Sequence, residues 1–324
     1  MCAVFDIPLA ARFRGVRRRR GMVWSGAAGW AEFSPFEDYR PTDCVPWWRA
    51  AQEAAEQGFP APRRTEVEVN AIIPAVGPVA AAKLLAGAGG ARTVKVKVAE
   101  PGQTEAQETA RLAAVRAALG PRGKIRIDAN GAWDAETAIA RIKRLARAAD
   151  GLEYVEQPCR TVQELALVRR RSEVPVAADE SIRRARDPFE VKRLEAADLV
   201  VLKVQPLGGV RACLRLAERL ELPVVVSSAV ETSVGLAMGL ALAAALPRLD
   251  FACGLGTGQL LSGDLVRERL LVSDAVLPVR AVSPDPALLA EHAAAPALER
   301  RWRERLDQVR RLAEAASAEP EPGG

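Results

Sequence analysis

Five charged residues fall where a buried β-strand should carry none. Lys97 closes Val94-Lys-Val-Lys97, Asp128 closes Ile125-Arg-Ile-Asp128, and Glu156 closes Tyr154-Val-Glu156. Asp179, with Glu180 behind it, closes Val176-Ala-Ala-Asp179, and Lys203 closes Val200-Val-Leu-Lys203. The steps between them are 31, 28, 23 and 24 residues. Each step is the length of one strand plus one helix, so successive units of a parallel sheet bring Lys, Asp, Glu, Asp and Lys to one rim. Three carboxylates without a histidine or thiolate form a hard oxygen set, which suits Mg²⁺ or Mn²⁺. The two lysines, on the second and sixth strands, would face each other across that ion. A lysine beside a divalent cation and a second ammonium has a lowered pKa and can act as a base. Metal plus lysine is what removes a proton α to a carboxylate, because the enediolate that forms needs positive charge at its oxygens. One strand-end carboxylate is usually a cap or an ion pair; five charged residues in register point to a site. Lys95 shares the parity of Lys97 and should also point inward, as a modifier of the Lys97 pKa and not as the base.

The elements that must position these residues follow a regular rhythm from about Glu66. Strands are expected at Val67–Ile73, Thr93–Val98, Lys124–Asp128, Leu152–Glu156, Val174–Asp179, Leu199–Val204, Pro223–Ser228 and Asp250–Cys253. Between them, apolar residues at 3.6 spacing predict helices such as Thr104–Leu119, Ala135–Ala149, Val162–Ser172, Phe189–Ala196, Val210–Leu220 and Val234–Ala245. Eight such units predict an α/β fold, a modified (β/α)7β barrel of the TIM type with a degenerate last helix. A doubly wound open sheet is the weaker alternative, since no GxGxxG follows the first strand. Residues 1–65 lack the rhythm and read as part of a small α+β capping domain, with a helix near Val45–Gly58. The barrel occupies 66–258. The segment 259–324 packs back on the capping domain, through a helix at Pro286–Ala316, and ends in a Glu/Pro/Gly-rich tail, Ser317–Gly324, expected to fray.

Composition removes other classes. Of 324 residues, 49% are apolar and 27% charged, which gives ample material for a core and excludes wholesale disorder. The most apolar stretch, Val234–Leu246, falls short of the roughly 20 residues that span a bilayer. The first residues carry no positive charges ahead of their apolar run, so they do not read as a secretory signal. Five scattered cysteines without a CxxC suit free thiols in a reducing cytoplasm. The lone histidine, His292, reads as a bystander, which disfavours mechanisms built on histidine. Net charge is +5, partly from Arg17-Arg18-Arg19-Arg20. That run reads as a solvated loop, or as a basic lid over an anionic small molecule. With aromatics at 5% and no reader motif, no nucleic-acid partner is expected.

These motifs resemble the enolase superfamily, in particular its muconate lactonizing enzyme subgroup, with Lys-x-Lys on the second strand and one lysine on the sixth. Within the subgroup the chain is most similar to the o-succinylbenzoate synthases. The resemblance is carried by Gly29-Trp-Ala-Glu-Phe-Ser-Pro-Phe36, Arg126-Ile-Asp-Ala-Asn-Gly-Ala-Trp133, Glu156-Gln-Pro-Cys159, Asp179-Glu-Ser181, Lys203-Val-Gln-Pro-Leu-Gly-Gly209 and Ser227-Ser-Ala-Val-Glu-Thr-Ser-Val-Gly-Leu236. It spans nearly the whole chain. It implies Mg²⁺ held by Asp128, Glu156 and Asp179, with Mn²⁺ as a substitute. It implies a syn dehydration of 2-succinyl-6-hydroxy-2,4-cyclohexadiene-1-carboxylate to 2-succinylbenzoate in menaquinone biosynthesis. Lys97 would remove the α-proton and Lys203 would stay protonated against a metal-stabilised enediolate. Ser227, Ser228 and the backbone at Gly254 and Gly256 would hold the succinyl tail. Arg126 and Asn130, on the inward face, would order the carboxylates. The Arg17–Arg20 run falls where the family carries a mobile lid. A small anionic substrate, a monomeric or weakly oligomeric state and a cytoplasmic location are the corresponding expectations. Two features depart from relatives in the subgroup. Ala31 stands where glycine is common, and Gly254-Leu-Gly-Thr-Gly258 lacks the Asp-x-Asp of the dipeptide epimerases. N-succinylamino acid racemisation stays open, because it uses the same two lysines. A barrel that has lost activity and only binds is disfavoured by the intact set of costly buried charges.

Overall fold

The computed structural model describes residues 2–13 and 15–318. The chain begins with an antiparallel sheet of β1 (Cys2–Phe13), β2 (Val16–Ser25) and β3 (Trp30–Phe33). Helix α1 (Val45–Glu56) packs behind it and buries Trp47 and four alanines. The Arg17–Arg20 run is therefore not a loop: it lies within β2, paired with β1. Alternation in the strand sends Arg18 and Arg20 to one side, where both contact Asp6, while Arg19 turns inward and is buried. An opposing strand with an acidic residue makes a basic run compatible with a sheet, and this strand has one.

The expected first strand divides. Its first part, β4 (Glu66–Glu68), pairs antiparallel with a distant segment, and its second part, β5 (Ala71–Ile73), enters the main sheet. At the break the Val69 amide bonds to Ala275 outside the barrel, and the Asn70 amide bonds to Cys253 in the segment where the eighth strand was expected. Helix α2 (Pro78–Ala86), not among the sequence-expected helices, starts with proline at its first position, where no intrahelical donor is lost.

The repeating units follow. They are β6 (Thr93–Lys97), α3 (Glu105–Leu119), β7 (Lys124–Asp128), α4 (Ala135–Ala148), β8 (Tyr154–Glu156), α5 (Val162–Arg171), β9 (Val176–Ala178), the one-turn helices α6 (Glu180–Arg183) and α7 (Glu190–Arg193), β10 (Leu199–Lys203), α8 (Val210–Leu220), β11 (Val224–Ser227) and α9 (Ser233–Ala245). Thr104 and Thr161 close reciprocal capping boxes at the starts of α3 and α5. The helix expected at Phe189–Ala196 is only the single turn of α7. Seven parallel strands run β11-β10-β9-β8-β7-β6-β5. The eighth, expected at Asp250–Cys253, forms no regular strand; bridges Val69–Cys253 and Ser227–Gly254 close the gap. The result is a modified (β/α)7β barrel with a cap. Strand β12 (Val276–Pro278) pairs with β4, outside the barrel ladder.

The helix expected at Pro286–Ala316 is two helices, α10 (Pro286–Glu291) and α11 (Pro296–Ala318). Pro296 cannot continue a helix from before it, since its ring removes a donor and clashes with the preceding turn. Helix α11 packs on α1, and Trp302 meets Phe33 edge to face at 6.2 Å. The tail beyond Ala318 lies outside the described residues. Among the described residues no helix is long and apolar enough to cross a membrane. Cys2 is exposed and the other four cysteines are buried, all as free thiols.

Candidate active site

Strand register assembles the site. Lys97 lies opposite Asp128, and Asp128 opposite Glu156. One layer below, Lys95 lies opposite Arg126, and Arg126 opposite Tyr154. Side chains in register on adjacent parallel strands share a face, so each layer is a row of neighbours inside the barrel. Asp179 follows β9 directly, and Lys203 ends β10 opposite Ser227.

The five sequence-predicted residues come together, all buried. Lys97 Nζ donates to Asp128 Oδ2 at 2.5 Å and to Asn130 Oδ1 at 2.7 Å. Across the barrel, Lys203 Nζ donates to Asp179 Oδ2 at 2.6 Å. Lys95 Nζ donates to both Glu156 oxygens, at 3.0 and 2.9 Å, and stands 3.4 Å from Asp128. Lys95 is thus the cation that ties two of the carboxylates together. Arg183, which the sequence reading missed, donates to Asp179 Oδ1 at 2.8 Å and to the Tyr39 hydroxyl at 2.9 Å. A signal for it existed: it stands four residues after Asp179 on a helical turn, the spacing of a local ion pair.

Three carboxylates and four cations buried together carry a large desolvation cost, which makes the cluster the candidate site. The electrostatics are uneven. Burial alone would raise every one of these carboxyls. At Asp128 the ammoniums of Lys97 and Lys95 outweigh burial and hold it well below the usual range. At Asp179 Arg183 and Lys203 do the same. Glu156 is pushed up to about 7, by burial and then by the charge of Asp128. Burial lowers Lys203, against the pull of Asp179. Burial would also lower Lys95, but Glu156 and Asp128 reverse that and raise it.

Among the described residues, no three His, Cys, Asp or Glu side chains are already gathered as an ion-holding group. The donor chemistry nevertheless fits a divalent cation. Asp128, Glu156 and Asp179 are hard oxygen donors on three successive strands. Glu156 is raised mainly by burial and next by the charge of Asp128, so a dication among these oxygens would favour its ionised, ligating form.

The remaining predicted residues divide. Asn130, at φ 48°, holds Lys97 and donates to Glu180 Oε1 at 3.3 Å. Arg126 points inward as expected but does not order the three carboxylates. Its guanidinium bonds Glu153 at 2.5 Å, Asn70 at 3.1 Å and the Ala252 carbonyl at 2.7 Å, and lies 4.6 Å from the Tyr154 ring centroid. It sits one layer too low, and there it ties the first strand to the irregular eighth. Removing it leaves the buried Asn70 and Ala252 oxygens without this donor, while Glu153 keeps Lys124 at 2.9 Å, so Arg126→Met is expected to lower stability by about 3 kcal/mol. Denaturant midpoints measure this; a change under about 1 kcal/mol would show that the closure does not depend on it. Ser227 Oγ reaches the Gly254 carbonyl at 3.4 Å, and Ser228 Oγ lies 2.7 Å from Thr257 Oγ1. A Cβ on Gly254 would stand 2.6 Å from Ser227 Oγ, and one on Gly256 2.9 Å from the Asn70 carbonyl, so both glycines permit close packing of strand ends. His292 lies apart, its ring against Gly263.

Residues 79–284 match the family model described as enolase C-terminal domain-like, and residues 4–55 the model described as enolase N-terminal domain-like. Fold and site together define a barrel enzyme of the enolase superfamily, whose members generally bind a divalent metal ion. The chain is 60% identical over 318 residues to the o-succinylbenzoate synthase of Thermobifida fusca (strain YX), covering 98% of each chain. It is 48% identical over 304 residues to the o-succinylbenzoate synthase of Mycobacterium ulcerans (strain Agy99), covering 94% of this chain and 91% of the relative. The muconate lactonizing enzyme of Pseudomonas fluorescens complexed with muconolactone shares the fold, with a TM-score of 0.77 at 20% identity over 90% of this chain and 98% of the other. By these matches the chain belongs to the o-succinylbenzoate synthase family.

Proposed function

We propose that this chain is a Mg²⁺-dependent hydro-lyase that converts 2-succinyl-6-hydroxy-2,4-cyclohexadiene-1-carboxylate to 2-succinylbenzoate, in menaquinone biosynthesis and in the cytoplasm. The observation that carries the choice of reaction is 60% identity over 98% of the chain to a relative bearing that name. The residues support it. Asp128, Glu156 and Asp179 would hold Mg²⁺, with Mn²⁺ as a substitute. When bound, the cation supplies positive charge against the substrate carboxylate, which lowers the barrier to α-proton loss.

Lys97 takes the α-proton onto Nζ, and the electron pair of the broken C–H bond moves into the substrate carboxylate as an enediolate; it returns to form the new ring double bond only as the hydroxyl leaves. The C–O bond to the ring hydroxyl then breaks, and Lys97 returns the same proton to the leaving oxygen, which departs as water. One group does both transfers, so the elimination is syn. Asp128 and Asn130 fix Nζ for this. Lys203 remains an ammonium, held by Asp179, and faces the negative charge that develops on the substrate, with a cation–π contribution from the ring. Aromatisation supplies the driving force. Ser227, Ser228 and the backbone at Gly254 and Gly256 border the succinyl tail. The division into a cap of residues 1–65, a barrel of 66–258 and a returning segment of 259–324 belongs to the same reading. So do a monomeric or weakly associating state and the absence of nucleic-acid partners.

The test is ultraviolet absorbance of the purified protein with Mg²⁺ and the cyclohexadiene carboxylate. Fast loss of the diene signal supports the reading; no loss, with N-succinylamino acids racemised instead, replaces it with an isomerase. A second comparison separates the two mechanisms. Lys203→Arg keeps the positive charge but gives up a usable acid–base group. It is expected to keep a measurable fraction of elimination and to lose any racemisation by about 10³-fold or more. Equal loss of both activities would show that Lys203 does more than hold charge.

A further inference from the structure

Away from the lysines and carboxylates, a second buried polar cluster joins cap to barrel. Glu32, on β3, is wholly buried. Its Oε2 accepts from the Thr232 amide at 3.2 Å, the Thr232 hydroxyl at 2.5 Å and the Gly235 amide at 3.1 Å. Its Oε1 accepts from Ser34 Oγ at 2.6 Å. Thr232 and Gly235 are the opening of α9, so a carboxylate from the cap satisfies orphan amides of a barrel helix and meets its positive end. Arg19, on β2, is also buried. It donates to the Val230 carbonyl and to Ser34 Oγ, both at 2.9 Å. Gln205, two residues after Lys203, accepts from the Ser34 amide at 3.3 Å. The barrel residues in this cluster come from the segments that directly follow β10 and β11, the strands that end in Lys203 and Ser227.

We propose that Glu32 is a positioning residue, which locks the cap sheet onto the barrel segments after Lys203 and Ser227 and so sets the wall of the substrate site. The inference rests on the reaction proposed above for its kinetic consequence, but the lock itself is independent of it. The reacting groups are anchored by their own ion pairs within the barrel. Loosening the cap therefore weakens the hold on substrate more than the chemistry. Lost binding that is equal in ground and transition states appears in KM and not in kcat.

In the full-length protein with Mg²⁺, Glu32→Gln keeps the volume but turns an amide donor toward groups that themselves donate. KM for the cyclohexadiene carboxylate is expected to rise about tenfold, with kcat within about threefold of the parent. Thr232→Val removes one of the same contacts. It is expected to raise KM in the same direction, and the double variant to fall short of the product of the two single effects. Thr232→Val also decides the matter if Glu32→Gln does not fold. A fall in kcat at unchanged KM, or multiplicative effects of the two substitutions, overturns the inference. Amide hydrogen exchange is read on the same proteins. Faster exchange at residues 30–34 and 229–235 together supports the lock, and unchanged exchange on either side overturns it. Parent protein that leaves the diene untouched overturns the reaction instead, and exchange then decides the lock.

Discussion

Lys97→Ala abolishes turnover of the cyclohexadiene carboxylate, with kcat/KM expected to fall about 10⁴-fold. A positioned acid or base contributes on the order of 10²–10⁴ to a rate. Lys97 stands at the upper end because one Nζ serves two transfers, removing the proton and returning it to the leaving oxygen. No neighbour replaces it. Lys95 is tied to both oxygens of Glu156, and Lys203 is tied to Asp179 across the barrel. The substitution leaves Asp128 buried but still 3.4 Å from Lys95, so the fold should survive. A cooperative melt close to that of the parent, with the diene absorbance unchanged over hours, is the expected result. Lys97→Arg should be nearly as inactive, since a guanidinium keeps the charge and cannot shed a proton. Activity of either variant above about 1% of the parent would remove Lys97 as the base.

Chelation of divalent metal has the next largest effect. Activity is expected to drop about 10³-fold in excess chelator and to return on adding Mg²⁺ or Mn²⁺, because the metal would provide several kcal/mol of charge stabilisation. The fold should not follow the activity down. Asp128, Glu156 and Asp179 are already countered by Lys95, Lys97, Lys203 and Arg183, so the metal-free cluster does not hold three unpaired charges. Full activity in chelator, with metal content below one ion per hundred chains by elemental analysis, would overturn the metal assignment.

Much of the site was legible because it depends on short-range rules. Side chains alternate along a strand, and each strand–helix unit has a narrow range of lengths. Those two facts are enough to put Lys97, Asp128, Glu156, Asp179 and Lys203 on one rim; the register aligns Lys97, Asp128 and Glu156, and an ion pair joins Lys203 to Asp179. Parity also pointed Lys95 and Arg126 inward. What parity could not supply was the layer and the partners. Arg126 is bound to residues 27, 56 and 126 positions away. Those partners come near only when the barrel closes, and nothing local announces them. The same limit applies to Arg17–Arg20. Four adjacent arginines look solvated until Asp6 arrives on the partner strand and Ser34 and Val230 close over Arg19.

The break before Pro296 is a different case, since proline states it locally; the helical pattern on either side was read through it. The eighth strand failed for the opposite reason. Asp250–Cys253 is apolar enough to read as a strand, but it meets its neighbours only at its end, through Cys253 to Glu68 and Asn70 and through single bridges to Val69 and, from Gly254, to Ser227. By itself, then, the sequence determined the barrel, its order of units and the gathering of five charged residues at one rim, through local periodicity and spacing, while the family was legible in the resemblance of its motifs. Only the tertiary structure decided which lysine serves which carboxylate and that Glu32 joins cap to barrel. Those contacts depend on ion pairs and hydrogen bonds whose partners are brought together by closure of the sheet and docking of the cap, and by nothing in the chain between them.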